Sequence, residues 1–266
     1  MTNQQLRGVV VNVDYCDLAR LCLPANLRFL SECWVITSPA DIETQEFCSQ
    51  FPKVRLYITD SFYKDGAFFN KGRCIEECFN VMGRHGNILI HDADILFPDD
   101  MLEELPTIQP NILYGAARRI VEDPLQWDPS VPWSHYGRRN DNRRPIGFFQ
   151  CFSAESALIR DRRPWYDQTF IHAGGGDGFF ESLFPRDGHQ VILPLDVLHL
   201  GPADSNWFGR STRRLDGTVP ERSEELSDLI KRYHKFKGWC GYRPSGEAFR
   251  EKIESPEVAA TSHECR

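Results

Sequence analysis

Ile88-Leu-Ile-His-Asp-Ala-Asp-Ile-Leu-Phe-Pro98 is the stretch whose reading decides the fold: an apolar run delivers two aspartates, Asp92 and Asp94, one residue apart. Side chains alternate along a strand, so both carboxylates point to the same side if the strand continues through them. A buried strand would hide two charges at large cost unless they were paired or bound a metal, which places them where the strand emerges into a cleft. Two hard carboxylates at such a place suit Mg²⁺ or Mn²⁺ carrying a diphosphate. An isolated Asp-x-Asp also occurs in solvated turns, so the surrounding chain has to decide between the two.

Toward the amino terminus, Leu6 to Val13 is a continuous β-branched run that predicts a buried parallel strand, closed by Asp14-Tyr15-Cys16-Asp17. Asp17 is the expected N-cap of a helix that bends or restarts at Pro24. Cys33 to Thr37 and Val54 to Ile58 are the next strands, with a short helix over Asp41 to Gln50 between them. This alternation calls for a parallel sheet covered by helices, and such sheets bind nucleotides at the carboxyl ends of their strands. Asp14 and Tyr15 fall there and are expected at the base or ribose, with a plain turn as the alternative.

Three further segments join the Asp-x-Asp in an ordered set. Phe68 to Phe79, FFNKGRCIEECF, opens a helix with Lys71 and Arg73 near its amino end, where a diphosphate could rest. His172-Ala-Gly-Gly-Gly-Asp177-Gly-Phe-Phe-Glu181 is a glycine turn with an acid opening a helix. Gln190 to Leu200 is a late apolar strand that delivers His199 into Gly201-Pro202, with Asn206 to Arg210 behind it.

Taken in this order, the motifs over about Val9 to Arg210 resemble GT-A nucleotide-sugar glycosyltransferases, in the family 2-like and galactosyltransferase-like group. The resemblance implies an α/β GT-A (Rossmann-like) fold: a mainly parallel central sheet with helices on both faces and a smaller acceptor-side subregion. It implies Asp92, Asp94 and His199 as ligands of Mn²⁺ or Mg²⁺, and Asn70, Lys71, Arg73 and Asp92 around a nucleotide-sugar donor, a UDP-sugar foremost. Asp177 matches the catalytic base of the inverting enzymes, with Gly175, Gly176 and Glu181 beside the acceptor; a turn capped by Asp177 is the alternative.

Between these motifs, Asn111 to Val121 and Ile146 to Ile159 predict strands, and Asp99 to Leu105 a helix. Glu122 to Arg144 lacks periodicity and carries Trp127, Trp133 and Tyr136, expected as a loop on which an acceptor sugar stacks. The division expected is a catalytic domain over 1–215 and a carboxyl-terminal helical extension with a polar tail over 216–266, including a charged helix from Arg222 to Lys235.

The chain has 266 residues, enough for one large α/β domain. Nine cysteines, an odd number scattered through predicted elements, read as reduced buried thiols. Without an apolar leader or an eighteen-residue apolar run, a soluble cytoplasmic protein is expected, in a host cytoplasm if viral. A net charge of −7 gives no overall pull toward nucleic acid, yet Arg118-Arg119, Arg138-Arg139, Arg143-Arg144, Arg160 to Arg163 and Arg213-Arg214 offer a local basic surface. Transfer to a carbohydrate or other hydroxyl acceptor is therefore weighed against transfer to a hydroxymethylated DNA base, and against a noncatalytic nucleotide- or carbohydrate-binding module.

Overall fold

The computed structural model describes residues 5–139, 144–203, 205–221 and 227–228. Strands β1 (Leu6–Val11), β2 (Glu32–Thr37) and β3 (Val54–Ile58) alternate with helices α1 (Cys16–Asn26) and α2 (Ile42–Cys48), and α3 (Lys71–Met82) leads into β4 (Asn87–Asp92). These four strands lie in the order β3-β2-β1-β4, all parallel. Then come β5 (Ile95–Leu96), α4 (Met101–Glu104), β6 (Leu113–Val121), β7 (Gly137–Arg139), β8 (Phe149–Ser153), α5 (Gly176–Glu181) and β9 (Gln190–Leu200). β8 enters antiparallel between β4 and β6, and β9 runs parallel to β6. The result is a Rossmann-like α/β sheet in the GT-A arrangement, parallel in its amino-terminal half and mixed beyond β4.

Alternation along the strands splits the core into two layers. Leu6 and Val10 of β1 join Ala19 and Leu23 of α1 and Phe47 of α2 on one face. Val9 and Val11 join Ile75, Phe79 and Met82 of α3 and Phe180 of α5 on the other. Helices therefore cover both faces, and the strands between them are apolar on both sides, which is why they read as continuous hydrophobic runs. All seven described cysteines are free and buried.

Several local expectations change in the tertiary context. Tyr15, not Asp17, occupies the N-cap of α1, and the helix runs through Pro24 to Asn26. Asp17 lies in the first turn, where Arg210 holds it. Strand β7, inside the stretch expected to be irregular, pairs antiparallel with β6. The charged helix and the polar tail expected beyond Arg222 lie outside the described residues apart from 227–228. No helix among the described residues is long and apolar enough to cross a membrane.

Glu76, on the buried face of α3, ties the core to the loop that precedes the glycine turn. Its carboxylate accepts from the Trp165 and Tyr166 backbone N–H groups at 3.0 and 3.2 Å and pairs with Arg84. Glu76→Ala would strand two buried donors and a guanidinium only 8% exposed. The expected cost is about 3–5 kcal/mol, read as a lower urea midpoint at unchanged slope.

His91, just ahead of the first aspartate, is buried edge-on against Phe97 at 4.9 Å. Its Nδ1–H donates to the Asp92 carbonyl at 3.0 Å and its Nε2 is buried without a partner. Burial pushes its pKa from 6.5 down to about 4. The unfolded chain thus binds more protons between these values, so stability rises with pH across the window and is lost as pH falls through it. Unfolding free energy should drop by about 2 kcal/mol between pH 6.5 and 5 on this account alone. His91→Leu should flatten that part of the slope in urea titrations at several pH values.

Candidate active site

The cleft opens where the strand order reverses. β1 has β2 on one side and β4 on the other, and the chain leaves their carboxyl ends in opposite directions, toward β2 and toward β5, which marks the crevice that ligands of open α/β sheets occupy. Val11, Val13 and Tyr15 line it from β1, and Ile90, Asp92 and Asp94 from β4 and its extension. The space among these side chains, counted together with the part open to solvent, is about 1080 Å³.

The short strand β5 joins the two ends of the chain. Ile95 pairs with His199 and Leu96 with Leu198, and the Leu200 N–H donates to the Asp94 carbonyl at 2.8 Å. This register sets the His199 ring beside the Asp94 carboxylate, with Nε2 and Oδ1 3.8 Å apart and both side chains buried. The His199 Nδ1 contacts the Gly201 carbonyl at 2.7 Å; a carbonyl only accepts, so Nδ1 carries a proton and Nε2 is the ring atom turned toward Asp94. Asp94 Oδ1 is buried with no hydrogen-bond partner. Burial raises the pKa of this carboxyl, with the nearby His199 opposing the rise and the Asp92 charge adding to it. A buried carboxyl oxygen and an imidazole nitrogen thus face each other too far apart to hydrogen-bond. Carboxylate oxygen and imidazole nitrogen each bind a divalent cation at about 2.1 Å, so a 3.8 Å separation is within the span of one ion.

The third expected ligand is differently engaged. Asp92 Oδ1 is paired with the Lys71 ammonium at the start of α3. Among the described residues no group of three or more His, Cys, Asp or Glu side chains converges as a metal site. Of the set expected from Asp92, Asp94 and His199, the structure thus sets Asp94 and His199 face to face and Asp92 against the Lys71 ammonium.

Asp177 forms part of the cleft lining as well. It is the second residue of α5, whose N-cap is Gly175 at φ 99°, so the acid is not the cap of its helix. Its Oδ2 accepts from the Gly147 N–H at 2.9 Å. A Cβ at position 147 would sit 2.8 Å from the Asp177 side chain, so only glycine lets the loop approach the carboxylate this closely. Behind them Gln150, fully buried, donates to the Pro145 carbonyl at 2.9 Å and the Asp177 carbonyl at 3.2 Å and accepts from the Tyr166 hydroxyl. Loop and helix are thereby held at one separation.

The other expected site residues divide. Lys71, Tyr15 and Gly176 line the cleft. Asn70 does not: its Oδ1 caps α3 by accepting from the Arg73 N–H at 2.8 Å, and its Nδ2 donates to the Gln168 carbonyl at 2.8 Å, so both polar ends are used internally. Arg73 turns away to Asp65 at 2.9 Å. Asp14, left-handed at φ 62° and exposed, donates its N–H to Asp41 and lies outside the lining. Gly175 stands behind Gly176 against the Phe170 ring, while Gly174 reaches the lining. Glu181 is buried in a two-pronged pair with Arg144, away from the cleft. Trp127, Trp133 and Tyr136 do not face it either; they pack on Leu96, Leu198 and Leu200, since the sheet needs an apolar cover at that end.

Residues not expected at the site complete its walls. Arg118 is buried in β6 with its guanidinium 4.5 Å from the Phe148 ring. Arg119 points to the other face, where it shares Asp196 with Arg138 at 2.9 and 2.8 Å. A charge inside the apolar run Leu113 to Val121 was the available signal for Arg118. Arg210 is fully buried, paired with Asp17 and stacked 4.7 Å from the Tyr15 ring. Trp207 lies parallel to His172 at 6.1 Å, and the Ala173 N–H donates to its carbonyl at 2.8 Å, linking the glycine turn to the segment after His199. Arg210 and Trp207 belong to the segment read behind His199, but no local pattern gave either a place in the cleft.

No family model matches this chain, and no curated protein matches it. Among solved structures it is similar to the inositol-1-phosphate CTP transferase from T. maritima, at 8% identity over 76% of this chain and 92% of that one, TM-score 0.45. It is also similar to 4-diphosphocytidyl-2C-methyl-D-erythritol synthase from Anaerococcus prevotii, at 8% identity over 87% and 97%, TM-score 0.44. A third likeness is to HddC from Yersinia pseudotuberculosis, at 14% identity over 74% and 95%, TM-score 0.43.

Proposed function

We propose that the chain is a metal-dependent transferase that moves a sugar from a nucleotide-sugar, a UDP-sugar foremost, to an acceptor hydroxyl with inversion. The observation that carries this reading is the buried Asp94–His199 pair, 3.8 Å apart with Asp94 Oδ1 unpartnered, at the same crevice as Asp177. Asp94 and His199 would hold Mn²⁺ or Mg²⁺, which when bound supplies Lewis-acid stabilisation of the departing diphosphate. Lys71, at the amino end of a twelve-residue helix, sets a positive charge and the helix dipole toward the phosphates. Asp177 receives the proton of the acceptor hydroxyl as that oxygen bonds to the anomeric carbon and the bond to the diphosphate breaks. The Gly147 N–H holds the Asp177 carboxylate and Gln150 holds its backbone carbonyl, which fixes the group for that transfer.

The acceptor is read as a carbohydrate or other small hydroxyl compound. Transfer to a DNA base draws less support, because Arg119, Arg138, Arg144 and Arg160 are each paired with an acid of the same chain.

A screen of nucleotide sugars for Mn²⁺-dependent hydrolysis, with Asp94→Ala as the control, tests the reading. Turnover of one donor class that needs both Mn²⁺ and Asp94 is expected. Pyrophosphate release from a nucleoside triphosphate and a sugar 1-phosphate, without nucleotide-sugar hydrolysis, would overturn it in favour of nucleotidyl transfer. Nucleotide binding with no turnover of either kind would favour a noncatalytic module.

A further inference from the structure

We infer that Lys71 is a built-in counterion that keeps Asp92 out of the metal's ligand shell, so that the cation binds tightly only together with a diphosphate. The inference rests on the reading of Asp94 and His199 as the protein's metal donors.

The two aspartates stand one residue apart yet have been given opposite surroundings. Asp92 is engaged by the Lys71 ammonium. Asp94 Oδ1 has no hydrogen-bond partner and faces the His199 Nε2 at 3.8 Å. The position of Lys71 follows from its neighbours on either side. Asn70 ahead of it is locked by its bonds to the Arg73 N–H and the Gln168 carbonyl. Gly72 after it passes so close to the Asp167 carbonyl that a Cβ would lie 2.9 Å away. The helix start cannot slide without breaking these contacts, so the ammonium is presented to Asp92 by the fold. Burial alone would depress Lys71, yet Asp92, with Asp177 and Asp94 beyond it, more than offsets this and keeps the amine charged.

A charged amine at Asp92 has two consequences for a dication at Asp94. It cancels one of the two aspartate charges, and it repels an ion held at Asp94, with which it already interacts electrostatically. A diphosphate supplies the missing negative charge and a partner for the amine. Cation and nucleotide then strengthen each other's binding reciprocally.

Titration calorimetry of the whole chain with Mn²⁺ alone, and with Mn²⁺ plus UDP, tests this. Wild type should bind Mn²⁺ alone weakly, and UDP should tighten it about tenfold or more. Lys71→Met should tighten Mn²⁺ alone by about tenfold or more and shrink the effect of UDP. Because Lys71→Met leaves Asp92 without its partner and could unfold the chain, a second comparison is decisive by itself. Asp92→Asn and the double variant Lys71→Met/Asp92→Asn differ only in the lysine, and the double variant should bind Mn²⁺ more tightly. Equal or weaker Mn²⁺ binding by the double variant than by Asp92→Asn, with binding still dependent on Asp94, overturns this inference alone. Mn²⁺ binding that Asp94→Ala leaves untouched, or no Mn²⁺ binding by any variant, overturns the metal reading together with it.

Discussion

Asp177→Asn is expected to lower sugar transfer by about a hundredfold or more, the scale of losing a general base, while nucleotide-sugar and Mn²⁺ affinity stay unchanged. The substitution suits the site because asparagine keeps an oxygen to accept the Gly147 N–H at 2.9 Å, so the loop that abuts the side chain need not move. It removes the negative charge and the capacity to take a proton, and little else. Transfer rates at saturating donor, with donor affinity measured separately by calorimetry, separate the roles. A parallel loss of donor affinity would make Asp177 a binding or structural group, and full activity would move the reaction to a mechanism with retention.

Asp94→Ala is expected to weaken metal-dependent nucleotide-sugar binding by about a hundredfold or more, at least the range seen when only the supports of metal ligands are changed. The structural reason is the isolation of this carboxylate: buried, unpartnered at Oδ1 and opposite His199. His199→Ala should act in the same direction. Since both side chains would serve one ion, the double substitution should cost scarcely more than the worse single one, a strong departure from additivity. Calorimetry with donor and Mn²⁺ on the four proteins of the cycle decides. Additive losses would mean that the pair does not share a ligand.

Much of the architecture is legible in local pattern. The runs that form β1, β2 and β4 are apolar on successive residues because strands sandwiched between helices must be, and they were bounded to within a few residues for that reason. The alternation of strand and helix implied the parallel order, and the parallel order implied where the crevice lies. Asp92, Asp94, Asp177 and His199 stood out because each ends an apolar strand or opens a helix after glycine, positions where a charge is costly unless it is used.

Which partner each polar side chain takes was decided only in three dimensions. Asn70 and Lys71 are adjacent in sequence, yet one is consumed in capping α3 and the other faces Asp92 in the cleft. Trp127, Trp133 and Tyr136 have the composition of a sugar platform, but the exposed end of the sheet at Leu198 and Leu200 claims them as its cover. Arg210 enters the cleft because Asp17, far away along the chain, holds it there. By itself the sequence determined the strands, the crevice and the acids at its rim, since periodicity and charge placement are properties of each segment alone. The tertiary structure decided that Asp94 faces His199 while Asp92 is held by Lys71, because the competition among buried charges is settled by distances between elements that no local pattern encodes.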